Sequence, residues 1–296
     1  MRVTQMIVDA VSEWTRPQYP EPRWPLRLYQ VWRLSQHWEQ AQAGDYSFAG
    51  EAAHLRALLR RLKIEGGYVV DIAAGDGISQ SSTLEFFRSP HWSGLAVEMD
   101  SAKFAKLAFA YAGFDGVHLA KCAVTPENVV PLLQAHSVPL ALTLLNLDID
   151  SYDLFVLQQM LEAGFQPRVI SMEINESIPP PVYFTVTYNP THFWEYDRFF
   201  GCSAAAAATV VKPFGYALES IQYNNAMFVH QDVAADGIAD QDVSTAYRVG
   251  YVERGDRKAL FPWNADVEDA LSMPRDQAVE FFRTLFAKYN GMYELR

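Results

Sequence analysis

Residues 69–82 read VVDIAAGDGISQSS, and this segment gives the strongest indication of the fold of the chain. An apolar run carries the acid Asp71, a turn with Gly75 and Gly77 follows, and the residues after the turn suit the start of a helix. Because glycine has no Cβ, the backbone of such a turn can approach a ligand closely. The stretch therefore predicts a strand, a ligand-binding turn and a helix.

The same alternation of strands and helices continues along the chain. Helical stretches separate five short apolar runs, at residues 68–72, 94–97, 117–120, 140–147 and 169–172. Such alternation predicts a parallel sheet with crossover helices. Two further runs, 216–223 and 226–230, flank Asn224 and Asn225, and asparagine tolerates the left-handed backbone of a tight hairpin. We therefore expect an α/β protein whose parallel sheet is closed by an antiparallel hairpin.

Two segments flank this alternation. Residues 1–62 carry four of the seven tryptophans and two helical patterns, the second over residues 50–62. We expect this N-terminal extension to act as a lid or as a contact between two copies of the chain. Residues 63–231 would form the ligand-binding domain. Residues 232–296 would form a C-terminal extension that ends in a helix predicted over residues 275–289.

Composition limits the classes of partner. The net charge of −11 argues against nucleic acid, because its phosphates would meet a repulsive field. Without a long apolar stretch or a signal-peptide pattern, we expect a cytoplasmic protein that does not contact membranes. The two cysteines, Cys122 and Cys202, are far apart, so the sequence supports neither a disulfide framework nor a structural zinc site. A small molecule with little charge is therefore a better candidate for the partner of this protein than nucleic acid or a membrane.

The glycine turn departs from the dinucleotide-binding fingerprint. In G-x-G-x-x-G a third glycine would stand where this sequence has Gln80. The pattern suits a ligand with no pyrophosphate but with a cationic amino-acid tail, which acids such as Asp71 can hold. Further along, GLAVEMD places Glu98 at the tip of the next strand, where a carboxylate can bind both ribose hydroxyls. Alone, the turn is a common structural device, but together these features favour a cofactor site.

Five blocks of the sequence resemble the FkbM-type methyltransferases and related bacterial proteins of class I. The blocks are DIAAGDGISQSSTL, GLAVEMD, LLNLDIDSYD, SMEINESIPP and FGYALESIQYNNAMFV, and the likeness covers about residues 69–229. The resemblance implies a Rossmann-like, seven-stranded, mostly parallel sheet, S-adenosylmethionine as cofactor, and O-methylation of a small-molecule hydroxyl, with a sugar favoured. The expected cofactor residues are Asp71, Ala73, Gly75, Asp76, Gly77, Ser81, Glu98, Cys122 and Asp148.

Acidic residues follow the fourth and fifth predicted strands. LNLDIDSYD contains Asp148 and Asp150, and MEINES contains Glu173 and Asn175. Oxygen ligands at neighbouring strand ends can hold Mg²⁺ or a similar hard cation. The region is also similar to macrolide-sugar O-methyltransferases, although EINE replaces their adjacent aspartates. That likeness implies a metal at Asp148 and Glu173, and we add Asn175 as a third candidate. Without a metal, these acids would bind loop backbone and substrate.

Three residues are candidates for the general base. Methyl transfer is an in-line displacement, so the protein must align the acceptor oxygen and take its proton. Asp150 and Glu173 lie at the expected strand ends, and His192 lies in NPTHFWEYDRFF among aromatic residues suited to stacking on a sugar or ring. Alternatively, His192 has no catalytic role and is packed within a loop.

Two other functions compete with methyl transfer. The D-x-D formed by Asp148 and Asp150 could bridge a metal and the diphosphate of a nucleotide sugar, as in a glycosyltransferase. That hypothesis leaves Asp71, Glu98 and the glycine turn unexplained. A non-enzymatic alternative is a methyltransferase fold that serves only as a binding subunit, with its aromatic flanks as the interface.

Overall fold

The computed structural model describes residues 46–191, 194–234 and 240–296, and it is built around a seven-stranded sheet. The strands of this sheet, in chain order, are β1 (Gly67–Ile72), β2 (Trp92–Glu98), β3 (Val117–Lys121), β4 (Leu144–Leu147), β5 (Val169–Glu173), β7 (Tyr216–Gln222) and β8 (Asn225–His230). Two further strands, β6 (Phe184–Val186) and β9 (Tyr293–Leu295), form a separate antiparallel pair.

The spatial order of the large sheet is β3-β2-β1-β4-β5-β8-β7. Strands β1 to β5 are parallel, whereas β8 is antiparallel to both β5 and β7. The order reverses between β1 and β4, and ligands of open α/β sheets bind at such a point, outside the carboxyl ends of the strands. The predicted Rossmann-like α/β fold with a terminal hairpin is thus confirmed.

Helices connect and flank the strands. They are α1 (Glu51–Arg61), α2 (Leu84–Phe87), α3 (Ser101–Ala110), α4 (Val129–Ala135), α5 (Asp153–Glu162), α6 (Ala204–Val211), α7 (Val243–Tyr247), α8 (Arg257–Leu260) and α9 (Arg275–Leu285). Other helical segments, which are not α-helices, lie at Phe48–Gly50, Lys212–Phe214, Arg248–Val252, Pro262–Ser272 and Ala287–Tyr289. Among the described residues, no helix is both long and apolar enough to cross a membrane.

The central strands are buried on both faces. In β1, Val70 and Ile72 belong to one apolar cluster, whereas Val69 belongs to a second cluster that includes Leu55 and Leu59 of α1. Side chains alternate across a strand, so consecutive apolar residues supply two cores. This double burial explains why the sequence shows short continuous apolar runs rather than an alternation of apolar and polar residues.

The terminal hairpin turns one residue earlier than predicted. Its turn is formed by Tyr223 and Asn224, and Tyr223 has φ 54°. Asn225 belongs to β8, where it pairs with Gln222 of β7 and with Glu173 of β5. The shift brings Asn225 to the edge of the sheet where β5 ends.

The C-terminal extension packs on the main domain through the small β6–β9 sheet. Phe184 of β6 pairs with Leu295 of β9. An aromatic cluster surrounds this pair, in which Phe286 lies 5.1 Å from Phe184 and 5.4 Å from Phe199 between ring centroids. The segment after β5 therefore contains a strand, β6, whose pairing partner β9 comes from the C-terminal end of the chain.

Candidate functional site

A cavity of about 470 Å³ lies at the carboxyl ends of β1, β2 and β4. Its wall brings together segments that are distant in the sequence, namely the glycine turn, the tip of β2, the loop after β3 and the loop after β4. The site residues among them are Asp71, Ala73, Gly75, Asp76, Ser81, Glu98, Cys122, Asp148 and Asp150. All of these residues were expected from the sequence, and the cavity lies where the strand order reverses.

Asp71 is held at the floor of the cavity by two side-chain donors. It is 2% exposed, Asn146 Nδ2 donates to its Oδ1 at 2.9 Å, and Thr83 Oγ1 donates to its Oδ2 at 2.5 Å. Burial raises the pKa of Asp71, and the hydrogen bonds from Thr83 and Asn146 offset part of this rise. The carboxylate is thus fixed in orientation while one edge still faces the cavity.

Glu98 is oriented by two backbone amides at the tip of β2. The amide of Gly75 donates to Glu98 Oε2 at 2.9 Å, and the amide of Asp100 donates to Oε1 at 2.6 Å. Glu98 is 4% exposed, and it lines the cavity. Glu98 and Gly75 of the glycine turn, which lie 23 residues apart in the sequence, are therefore in direct contact.

The glycine turn has a backbone that only some residues can adopt. Gly75 and Gly77 have φ of 60° and 77°, and Ala73 also has a positive φ of 69°. A Cβ at Gly77 would lie 2.6 Å from Leu107 Cδ1, whereas a Cβ at Gly75 would meet no atom within 4 Å. Gly77 is therefore needed for packing, and Gly75 leaves its space to the cavity.

Two other predicted cofactor residues mainly stabilise loops around the cavity. Asp76 Oδ1 accepts from the amides of Ile78 and Ser79, which closes the turn, and the amide of Leu84 donates to Ser81 Oγ at 3.1 Å. Both residues line the cavity, and these hydrogen bonds fix the loops to which they belong.

Cys122 lies beyond the tip of β3. Its Sγ donates to the carbonyl of Ala123 at 3.3 Å, and the residue is partly exposed. Because Cys122 also lines the cavity, it stays among the proposed cofactor contacts.

Three carboxylates meet at the ends of β4 and β5. Asp148, Asp150 and Glu173 each offer an oxygen, and these oxygens lie within 4.8 Å of one another. Asp148 and Asp150 line the cavity directly, whereas Glu173 is 7% exposed and lies behind them. Asp150 has a positive φ of 56°, so its loop turns sharply to bring the side chain to this point.

Burial and mutual repulsion make it unfavourable for these three carboxylates to be ionised together unless a positive charge lies nearby. Burial and the neighbouring acids raise the pKa of Asp148 and of Glu173 well above the usual range. Burial also raises the pKa of Asp150, although Lys103 lowers it in part. Among the described residues, Glu173 Oε2 has no hydrogen-bond donor. Shared protons or a hard cation would satisfy such a group.

Asn175 does not suit the ligand role that we expected for it. Its Nδ2 donates to the carbonyls of Arg198 and Phe200, and its Oδ1 accepts from the amide and the hydroxyl of Ser177. The amide is thus fully used in fixing the loop after β5, and Asp150 takes its place beside Asp148 and Glu173. His192 lies outside the described residues.

Several cavity residues were not predicted. Asn146 could have been found, because it is a polar residue within an apolar strand. Glu51 and Lys103 carry no local signal, and they come from a helix start and a helix face. Trp194 also lines the cavity, and it belongs to the aromatic segment that the sequence indicated as suited to stacking on a ring. Asn225 was predicted to be a turn residue, yet it lines the cavity.

Comparisons with known proteins add the following. No protein family model matches the sequence, and no curated protein matches it. Similar solved structures include the N-terminal domain of EvdMO1 with SAH and D-fucose, at 12% identity, covering 67% of this chain and 94% of that chain, with a TM-score of 0.41. A putative O-methyltransferase from Klebsiella pneumoniae is 15% identical, with 75% and 95% covered and a TM-score of 0.40.

A further similar structure is an S-adenosylmethionine-dependent methyltransferase from Aquifex aeolicus. It is 10% identical, with 58% of this chain and 85% of that chain covered and a TM-score of 0.36. Likenesses this distant carry no argument about the activity of this chain, and none of them confirms the FkbM-type family. The functional proposal depends on the geometry of the cavity.

Proposed function

We propose that this protein is an S-adenosylmethionine-dependent methyltransferase that methylates a hydroxyl of a small molecule, with a sugar-like acceptor favoured. The observation that carries the proposal is the contact between Glu98 and the amide of Gly75, at the carboxyl ends of the strands and next to the point where the strand order reverses between β1 and β4. A carboxylate in this place can accept from both ribose hydroxyls, and the open turn leaves room for an amino-acid tail.

The cavity residues fit the two ends of this cofactor. Asp71 supplies negative charge near the turn, where the cationic end of an amino-acid tail would lie. Glu98 would bind the ribose, and Cys122 and the residues that follow it would line the space for the base. None of these proposed contacts involves a pyrophosphate. This agrees with the sequence, which has Gln80 where the dinucleotide-binding fingerprint has its third glycine.

The bound cofactor supplies a methyl group on a sulfonium. For transfer to a hydroxyl, the acceptor oxygen forms a bond to this carbon as the carbon–sulfur bond breaks, and the hydroxyl proton passes to a base. We assign the base to Asp150, because it lines the cavity beside Asp148, whereas Glu173 is not among the lining residues. Glu173 lies behind Asp150, so it would act on the acceptor only indirectly.

A divalent cation such as Mg²⁺ fits the remaining acids. Asp148 and Glu173 would hold it, with Asp150 adjacent, and the cation would lower the pKa of the acceptor hydroxyl. The unsatisfied Glu173 Oε2 supports this assignment, since a buried carboxylate oxygen without a donor is costly. The hard oxygen donors favour Mg²⁺ or Mn²⁺ over softer metals.

The side of the cavity near Asp150 supports a sugar-like acceptor. Trp194 and Tyr152 line it, and the Trp194 ring lies 4.9 Å from the ring of Tyr196. Aromatic faces next to carboxylates provide both stacking and hydrogen bonding for a ring that carries hydroxyls.

The proposal is tested by S-adenosylhomocysteine release from S-adenosylmethionine in the presence of a panel of hydroxylated small molecules. Asp148→Asn should abolish release while cofactor affinity stays within about threefold, since the change affects acceptor chemistry. Asp276→Asn, at a side chain that is 92% exposed on α9, serves as the control and should keep full activity. Full turnover in excess EDTA would contradict the metal, and full turnover of Asp148→Asn would contradict the acceptor site.

A further inference from the structure

Tyr188 is not among the residues that line the cavity, but it contacts two of the loops that form the cavity wall. It follows β6, and its hydroxyl donates to Glu127 Oε2 in the loop after β3. Its ring meets the ring of Tyr152 edge-on, with 4.8 Å between the centroids and 80° between the planes. Tyr152 lines the cavity, and its hydroxyl donates to the carbonyl of Val124 at 3.3 Å. Tyr188 thus joins the segment after β6 to the loops that follow β3 and β4.

The loop after β3 is held in shape by its own hydrogen bonds. Residues 122–125 of this loop line the cavity. Asn128 Nδ2 donates to the carbonyl of Ala123 at 2.7 Å, and Asn128 Oδ1 accepts from the amide of Thr125 at 2.7 Å. In the proposed function this loop lines the space for the base of the cofactor. A bound cofactor would therefore contact the same loop that Tyr188 contacts.

The segment that follows Tyr188 forms part of the opposite wall, on the side that Tyr152 lines. Pro190 reaches the cavity from this segment. Asn189 Oδ1 accepts from the amide of Thr191 at 3.0 Å and from its hydroxyl at 2.8 Å, and this turn fixes the direction of the chain around Pro190. The position of Tyr188 therefore determines where this segment meets the cavity.

We propose that Tyr188 is a positioning residue that couples the two sides of the cavity, so that a cofactor bound against the loop after β3 stabilises the acceptor wall at Pro190. The inference rests on the proposed function. A cofactor that contacts residues 122–125 restricts the motion of their loop. The contacts of Tyr188 with Glu127 and Tyr152 pass this restriction to the segment after β6. Since such coupling is reciprocal, the acceptor would bind more tightly once the cofactor is in place.

The test is hydrogen–deuterium exchange of the full chain, measured by mass spectrometry with and without saturating S-adenosylhomocysteine. In the wild-type protein we expect this compound to slow exchange at residues 122–128 and also at residues 187–191. The amides of Thr187 and Thr191 are hydrogen-bonded, so the second segment can report the effect. A contact that only supported the fold would change exchange equally with and without the compound.

Tyr188→Phe keeps the ring but removes the hydroxyl. The slowing at residues 187–191 should fall by at least about threefold, because one hydrogen bond to a charged acceptor is lost. The slowing at residues 122–128 should remain, and the affinity for S-adenosylhomocysteine should stay within about twofold, because Tyr188 does not line the cavity. Tyr68→Phe is the matched control. It removes a hydroxyl that has no hydrogen-bond partner among the described residues, and it should behave like the wild-type protein.

Variants of Glu127, an exposed residue, test the same contact from the other side and do not depend on how Tyr188→Phe folds. Glu127→Ala should lose the slowing at residues 187–191, whereas Glu127→Gln keeps an oxygen acceptor and should retain it. The double variant Tyr188→Phe/Glu127→Ala should lose no more than either single variant, since all three remove one shared contact.

Three results would overturn the inference. They are binding of S-adenosylhomocysteine without slowing at residues 122–128, slowing there without slowing at residues 187–191, and unchanged slowing at residues 187–191 in Tyr188→Phe and Glu127→Ala. A different result would contradict the proposed function itself. If calorimetric titration shows that the wild-type protein binds neither S-adenosylmethionine nor S-adenosylhomocysteine, the proposed function fails and the coupling fails with it.

Discussion

The carboxylate of Glu98 accepts hydrogen bonds from two backbone amides that belong to different loops. This arrangement holds the side chain in place before any ligand binds, so little side-chain entropy is lost on binding. Each carboxylate oxygen has more than one lone pair, and the remaining ones can accept from ribose hydroxyls. The residue thus serves both the loop structure and the proposed cofactor.

Glu98→Ala should weaken the binding of S-adenosylmethionine by at least about tenfold, because a charged acceptor of two hydroxyls is lost. Calorimetric titration measures this directly. Glu162→Ala, at an exposed position of α5, provides a control that should bind normally. Unchanged affinity in Glu98→Ala would remove Glu98 from the ribose role.

The two glycines of the turn should respond differently to alanine. Gly77→Ala would place a Cβ 2.6 Å from Leu107 at a positive φ, so we expect a loss of about 2–4 kcal/mol in unfolding free energy. Gly75→Ala has a positive φ but open space, and about 1–2 kcal/mol is expected from backbone strain alone. Urea denaturation of both variants gives the comparison, and equal losses would contradict the packing role of Gly77.

The residues that sequence reasoning found are those with a local signal. Asp71, Gly75 and Glu98 stand at fixed offsets from apolar runs, and the structure brings them to one cavity. Glu51 reaches the same cavity from the start of α1, and only the tertiary fold determines that approach. Asn175 is the opposite case. Its place in the motif MEINES suggested a metal ligand, but its side chain instead fixes the loop after β5.

Among the secondary-structure elements, the inner strands β1, β2, β4 and β5 of the large sheet were predicted from their short apolar runs, which are largely buried on both faces. The edge strand β3 is only partly buried, but it too contains a short apolar run. The hairpin turn was misplaced by one residue, since Asn224 and Asn225 both tolerate turn conformations and only the pairing of Asn225 with Glu173 decides between them. The β6–β9 pair was not predicted. Its strands are three residues long and lie more than a hundred residues apart in the chain, so neither shows a periodic pattern.

Ser203 links β6 to the start of α6. Its Oγ accepts from the amides of Phe184 and Ala206 and donates to the carbonyl of Val182 at 2.8 Å. Ser203→Ala removes all three contacts from a buried site, and we expect a loss of about 2–3 kcal/mol in unfolding free energy. Ser244→Ala, at an exposed position of α7, should cost less than about 0.5 kcal/mol. A loss below about 0.5 kcal/mol for Ser203→Ala would show that this link is dispensable.

In the described parts of the chain, the C-terminal segment contacts the loop between β6 and α6 that reaches the cavity. Tyr289 donates to Asp197 Oδ2 at 2.6 Å, and Arg198 contacts Asn264 and Asp266. Both Asp197 and Arg198 lie in the loop that carries Trp194 to the cavity. The sequence separates these segments, and contacts between side chains join them.

Phe286→Ala tests how much the aromatic cluster around β6 and β9 stabilises the protein. The side chain is 2% exposed in the aromatic cluster around β6 and β9, so we expect a loss of about 3–5 kcal/mol in unfolding free energy. The neighbouring residue Leu285 is 37% exposed, so Leu285→Ala should lower the unfolding free energy by about 1 kcal/mol or less. Chemical denaturation measures both values. Equal losses would mean that the extension does not depend on this cluster.

In the proposed function, the cavity beside Glu98 and the glycine turn binds an adenosyl sulfonium cofactor. The most direct measurement is calorimetric titration of the wild-type protein with S-adenosylmethionine, S-adenosylhomocysteine and UDP-sugars, each with and without EDTA. We predict that both adenosyl compounds bind in a 1:1 ratio and that UDP-sugars do not. Binding of a UDP-sugar, abolished by EDTA, with no binding of either adenosyl compound would show that the protein is not a methyltransferase and favour a glycosyltransferase that uses Asp148 and Asp150.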